Sequence, residues 1–255
     1  MSTILSYSSF LTTLNRKESL KLGLVVDTNI LISATYDADY FFEPATQFFE
    51  YLAENSIPIY CNVNVRAEFL EIHRRIIFTE SLIDLFYETD RSFYPTSVLI
   101  QLGKWAASNR KRISEGRLPL RLSESEIKKI KLELIRVSSS DGKNLWAAFC
   151  ENRIRGKLKF LWENTEQLFG LNFLSTRNED SSPLFKSSPK WFDAVQLIEK
   201  HGLSSSDAMI VNLFFCSNLD AIVSSDQEIA YVVQSEKTSN KICFVPDSLK
   251  LDMYS

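Results

Sequence analysis

Hydrophobic positions along this chain follow two rhythms, and the change from one to the other divides it into three parts. From Leu22 to Val26 the run LGLVV is short and continuously apolar, the mark of a strand covered on both faces in a parallel sheet. Asp27 closes that run. After a short loop, Pro44 suits the first turn of a helix through ATQFFEYLAEN, with Phe48, Phe49 and Leu52 as its apolar face. A second strand is predicted over Ile57 to Val63, followed by a helix from about Asn64 in which Val65, Phe69, Ile72 and Ile76 recur at helical spacing. Strand, helix, strand, helix is the alternation of an α/β fold. The same grammar returns near the other end. WFDAVQLIEKHG reads as a helix stopped by Gly202, SSSDAMIVNLFFCSN as a buried helix capped by a serine, and DAIVSSD and KICFVPDS as strands.

Between these halves, from about residue 81 to 190, strand signals vanish and helical ones dominate. Ser123 and Glu126 form a capping box that opens a helix with Ile127, Ile130 and Leu134 on one face. A longer helical stretch is predicted from about Asn144 to Phe169. LSTRNEDSSPLFKSSPK, rich in Ser, Pro and charge, reads as a mobile linker. The expected organisation is therefore an α/β domain in two parts, residues 20–80 and 191–250, interrupted by a helical insertion over 81–190.

Composition changes this picture in two respects. Seven glycines in 255 residues include no GxGxxG or GxxxxGK[ST] pattern, which argues against a Gly-rich nucleotide loop. Charge is unevenly distributed. Lys104 to Lys159 carry 15 Lys or Arg against 6 Asp or Glu, a local balance of +9 in a chain of net charge -3. An acidic body thus flanks a basic middle. With no 18-residue apolar run and no signal-like N-terminus, neither a membrane segment nor secretion is expected. Cys61, Cys150, Cys216 and Cys243 are widely spaced in apolar contexts, as suits buried thiols in a reducing cytoplasm. Two histidines, His73 and His201, offer few ligands for zinc and read as structural or solvated.

Candidate chemistry rests on four acids. Functional groups of parallel α/β sheets gather at the carboxyl ends of strands. Asp27 follows the first strand, Asp226 follows AIVSS, Asp207 lies in the opening turn of a helix, and Glu68 projects from the first turns of the helix after the second strand. Such carboxylates, brought together, repel and raise one another's pKa, so the cluster needs a cation. Oxygen ligands alone point to Mg²⁺ or Mn²⁺. Each acid also has a local reading: Asp27 as a turn acid, Asp207 and Asp226 as helix caps, and Glu68 as a solvated helix acid with Glu71 as its competitor.

In order, VVDTNILIS, VRAEFLE, LSSSDAMIV and IVSSDQEI resemble the four acidic motifs of PIN-domain ribonucleases, the group that includes VapC-like toxins. The 19-residue step from Asp207 to Asp226 belongs to that likeness, which spans the α/β parts and leaves the insertion uncovered. It implies a three-layer α/β/α fold with a central, mostly parallel sheet. It also implies that Asp27, Glu68, Asp207 and Asp226 ligate one or two divalent ions, with Thr28, Asn29 and Ser224 supporting them by hydrogen bonding. The activity implied is metal-dependent hydrolysis of RNA phosphodiesters, leaving 5′-phosphate and 3′-hydroxyl ends. Expected partners are RNA, a protein antitoxin that blocks the acidic site if the chain is a toxin, and a second copy in a homodimer, with no membrane.

Arg74, Arg75, Arg110, Lys111, Arg112, Lys128 and Lys129 are candidates for salt-sensitive, sequence-blind contact with a nucleic-acid backbone. Trp105, Trp146 and Trp162 read mainly as core. Three rivals stand beside the ribonuclease: a DNA-directed or flap-type nuclease, a catalytically silent PIN scaffold binding RNA or protein, and a haloacid-dehalogenase-like phosphatase. The last wants a second aspartate where this chain has Asn29.

Overall fold

The apolar run before Asp27 lies in the middle of a sheet in the computed structural model, which describes residues 3–88, 92–138, 142–236 and 240–254. In chain order the principal elements are β1 (Thr3–Ser6), α1 (Phe10–Arg16), β2 (Leu24–Val26), α2 (Thr28–Thr35), α3 (Phe42–Glu54), β3 (Ile59–Cys61) and α4 (Val63–Tyr87). Then come α5 (Thr96–Ser114), α6 (Glu124–Ile135), α7 (Leu145–Arg153), α8 (Lys157–Phe169), β4 (Leu171–Phe173), α9 (Trp191–His201) and α10 (Ser205–Cys216). The last are β5 (Ala221–Val223), α11 (Gln227–Ser235), β6 (Ile242–Val245) and α12 (Asp247–Tyr254). The fold class is α/β.

Two compact units emerge, one of residues 1–69 and 163–255, the other of 70–162. The first holds a six-stranded, all-parallel sheet in the order β1-β6-β5-β2-β3-β4. Chain connection runs outward from β2 to β3 and β4 on one side, and from β5 to β6 on the other. The crevice beyond the carboxyl ends of β2 and β5 is therefore the point where strand order reverses, the usual ligand position of an open parallel sheet. Leu24, Val25, Val26, Ala221, Ile222 and Val223 are completely buried, which explains their uninterrupted apolar sequence. Phe10 packs edge-on against Phe48 and Phe244 at centroid separations of 5.2 and 4.9 Å, filling one side of the sheet.

Gly23 sets the close approach of β2 to β3. Its φ is +112°, and a Cβ there would stand 2.6 Å from the Tyr60 ring and drive into the Pro58 carbonyl, which accepts the Leu24 N–H. Gly23→Ala is expected to cost on the order of 1–3 kcal/mol. Urea unfolding checks this, and an unchanged midpoint would show that the strand entry relaxes freely.

In the second unit Leu82, Val98, Leu102, Trp105, Ile127, Ile130, Leu134 and Phe149 form the core. The expected capping box is present: Ser123 Oγ accepts from the Glu126 N–H, and Glu126 Oε2 accepts from the Ser123 N–H at 2.8 Å. Trp105 and Trp162 are buried, and Trp146 stacks 5.1 Å from Phe78.

Several sequence expectations are corrected. The compact helical unit runs over 70–162, where the sequence placed an insertion over 81–190; α4 enters the unit at Leu70 and α8 leaves it at Trp162. The sheet domain also begins before residue 20: β1 pairs with β6, and Ile4 is buried. Strand β4 falls where none was expected, since an edge strand of three residues with Asn172 exposed carries little apolar signal. TNILISAT is helix rather than loop, because Asp27 caps it and Thr28, Ile30, Leu31 and Ile32 are buried. Gly156, at φ +79°, separates α7 from α8 where one helix was expected. Cys150 is half-buried rather than buried, and none of the four thiols is bridged. The stretch expected to be a mobile linker is tied down: Leu174 N–H donates to Cys61 O, Asn218 N–H to Leu184 O, and Phe185 bridges Ser217. No helix among the described residues is long and apolar enough to cross a membrane.

Candidate metal centre

Asp27 continues the ladder at the end of β2, its N–H donating to Val223 O at 3.0 Å. Its side chain turns back to cap α2, accepting from Thr28 N–H at 2.6 Å and from Asn29 N–H at 3.3 Å. Ser224 Oγ donates to the same carboxylate at 2.8 Å. The group is fully buried. Burial is the main reason its pKa rises to about 7, with the charge of Asp207 next, then that of Glu68, against the stabilising hydrogen bonds from Ser224 and Thr28.

Glu68 projects from the second turn of α4, a helix that starts beside Asn62, whose Oδ1 accepts the Val65 N–H. Thr28 Oγ1 donates to Glu68 Oε2 at 2.9 Å and Ser206 Oγ donates to the same atom at 2.8 Å. Asp207 sits in the first turn of α10 behind its cap Ser204. Ser204 Oγ donates to Asp207 Oδ2 at 2.6 Å and accepts the Asp207 N–H at 3.2 Å. Its pKa is raised to about 6, chiefly by burial and then by Glu68, Asp226 and Glu228, with Ser204 acting in the opposite direction. Asp226 caps α11 by accepting the Glu228 N–H at 2.7 Å, and Asn29 Nδ2 donates to its other oxygen at 3.3 Å.

Thr28, Asn29 and Ser224 thus tie Asp27, Glu68 and Asp226 into one hydrogen-bonded network, and Asp207, bonded to Ser204, couples to all three acids through its charge. Among the described residues none of the four pairs with a lysine, arginine or histidine. Among those residues, too, no three His, Cys, Asp or Glu side chains stand as a ready-made coordination sphere. The donor chemistry nevertheless suits a hard cation. The acids offer only oxygen, are mutually repelling, and include one fully buried carboxylate whose charge has no basic partner.

Thr28, Asn29 and Ser224, singled out from the sequence as supports, each donate to one of the acids. Three contributors were missed. Ser204 was read only as a helix cap, and Ser206 and Glu228 were given no role. That Ser206 reaches Glu68 is a tertiary fact with no local signature.

The basic candidates lie in the other unit and are largely engaged there. Arg74 bridges Glu71, at 2.8 and 2.9 Å, and Glu124. Arg75 stands 3.8 Å from Glu71, Lys111 3.8 Å from Glu115 and Lys128 4.0 Å from Glu124. Arg110 donates to the Tyr87 hydroxyl, Arg112 to Leu118 O, and Lys129 faces the charge of Glu126. Glu71, the competitor of Glu68, is held below its usual range by Arg74. His73 is buried, whereas His201 meets Glu236 at 2.8 Å.

Compared with protein-family models, with curated proteins and with solved structures, the chain matches none.

Proposed function

We propose that this chain is a divalent-metal-dependent endoribonuclease of PIN type, hydrolysing RNA phosphodiesters at Asp27, Glu68, Asp207 and Asp226. The observation that carries the reading is negative charge gathered from four distant segments at the strand-order reversal, with no basic side chain among the described residues paired with it. The four motifs in which these acids stand resemble those of PIN-domain ribonucleases.

Asp27, Glu68, Asp207 and Asp226 would hold Mg²⁺ or Mn²⁺. A bound divalent ion would supply Lewis acidity, making water nucleophilic near neutral pH and offsetting charge on the phosphate. The chain's own residues supply orientation. Ser224 and the α2 amides fix the Asp27 carboxylate, Thr28 and Ser206 fix one oxygen of Glu68, and Asn29 fixes Asp226. The amides capping at Asp27 and Asp226 also leave these side chains anchored at helix N-termini, where anionic groups are favoured.

Full-length protein is to be incubated with 5′-labelled single-stranded RNA and, in parallel, with a branched DNA flap. Expected is RNA cleavage in Mn²⁺, with 5′-phosphate and 3′-hydroxyl products, and none in EDTA. Intact RNA in Mn²⁺, or cleavage undiminished by EDTA, defeats the proposal. Preference for the flap would move it to a DNA-directed nuclease.

A further inference from the structure

Beside the carboxylates lies a cavity of about 430 Å³ whose walls include Phe173, Met209, Trp191, Asn64, Thr176 and Lys190. Its position follows from helix geometry. Asn64 and Glu68 are four apart on α4, and Ser206 and Met209 three apart on α10, so each pair shares a face one turn apart, roughly 5–6 Å. One member of each pair belongs to the Glu68 hydrogen bond, the other to the cavity. The cavity therefore adjoins the acidic site along two separate helices.

Its composition is unusual for a surface hollow. Trp191 is 70% exposed, although an indole of that size is ordinarily sequestered. Phe173 and Met209 add aromatic and thioether surface. Asn64 and Thr176 add an amide and a hydroxyl, and Lys190 adds a cation at the rim. Its frame is built rather than loose. Asn212 Nδ2 donates to Lys190 O at 2.8 Å, pinning the start of α9 to α10. The Leu174 N–H donates to Cys61 O at 2.8 Å, and Ser181 Oγ bridges the Ser175 backbone, accepting its N–H and donating to its carbonyl, each at 3.0 Å.

An exposed aromatic face, a few edge donors and acceptors and a cation, one helical turn from a phosphodiester site, match one nucleoside of a single strand. The base stacks, its edge meets the amide and hydroxyl, and its phosphate meets the amine. We infer that this cavity is a base-binding subsite that seats a nucleobase adjacent to the scissile phosphate, with Trp191 as its stacking platform. The inference rests on the nuclease reading of the neighbouring acids and names how that site would grip its substrate. A base plane carrying its phosphate fits the hollow better than a purely apolar partner, since the exposed Lys190 and Trp191 are neighbours in its wall.

The test uses full-length Asp27→Asn protein, so that turnover does not interfere, and a fluorescent single-stranded RNA pentamer, intact or with one abasic position. Trp191→Ala is expected to weaken binding of the intact strand by about tenfold or more and to abolish the preference for intact over abasic RNA. Phe160→Ala, comparably exposed at 65% but outside the cavity, is expected to change neither. If Trp191→Ala leaves affinity and preference unchanged, or if both variants weaken binding alike, the subsite is refuted. Cleavage by the otherwise wild-type chain is scored separately. RNA left uncut in Mn²⁺ while Trp191-dependent binding persists sinks the nuclease reading and keeps the subsite; cleavage that is indifferent to Trp191 does the reverse.

Discussion

Asp27→Asn is expected to leave the chain folded and to reduce Mn²⁺-dependent RNA cleavage to the level seen in EDTA. The substitution is nearly isosteric, and asparagine is as good a helix cap as aspartate, so α2 keeps the Thr28 amide bond through Oδ1, while Nδ2 replaces the oxygen that accepts from Asn29 and Ser224. What it removes is the fully buried negative charge at the centre of the proposed ligand set. Ser224→Ala is the graded companion. It deletes the hydrogen bond to Asp27 and the one that Oγ accepts from the Asp226 N–H, and should lower cleavage, or Mn²⁺ affinity, by about 10- to 100-fold. Circular dichroism and rates measured across a Mn²⁺ titration check both. Full activity in folded Asp27→Asn protein would remove Asp27 from the mechanism, and with it the centre of the proposed site.

The second large effect is on stability and its sign is definite. Asp27 is raised from 3.8 to about 7 and Asp207 from 3.8 to about 6, each chiefly by burial and then by neighbouring acids. Both folded pKa values exceed the unfolded ones, so between these limits the native state holds protons that the unfolded chain has released. Metal-free stability from these groups is therefore fully present below about pH 4 and is lost as pH rises through 6 and 7. For Asp27 the span corresponds to about 4 kcal/mol, a large share of a typical folding free energy.

His73 pulls the other way. Burial, and then Arg121, depress it from 6.5 to about 4, so its contribution grows as pH rises over that interval. The informative quantity is consequently the difference between the wild-type chain and Asp27→Asn. In chelator, the variant should be the more stable at pH 8 and lose that advantage by pH 4. Adding Mn²⁺ should raise the wild-type Tm strongly at pH 8 and weakly at pH 5, and the variant's hardly at all. Thermal melts at the two pH values decide it. A wild-type-minus-variant difference that does not move with pH would mean that the buried charge is relieved by something other than a proton or a cation.

How much of this was readable in advance depended on where each residue sits in the sheet. Central strands β2, β5 and β6 are buried on both faces, and that burial forces runs such as LVV, AIV and ICFV. Edge strands β1 and β4 are partly exposed, so Thr3 and Asn172 interrupt the pattern and neither was found. Helices α6 and α9 announced themselves by a capping box and by a left-handed glycine at 202. Helix α2 did not, because its isoleucines and Thr28 suit a strand locally and are helical only because Asp27 caps them and the fold buries them.

The sequence alone determined the α/β alternation, the helical character of the middle, and the four acids placed after strands or at helix starts, since local burial and capping leave a mark on neighbouring positions. Tertiary structure alone decided which side chains share a site. Asp27 and Ser224 are 197 positions apart and meet only because β2 and β5 pair side by side at the sheet's reversal point. Ser206 reaches Glu68 only across two helices, and Trp191 finds its cavity only where the segment from Leu174 to Lys190 folds back against α10. Pairing and crossover are set by the balance of burial over the whole domain, and no window of sequence contains that balance.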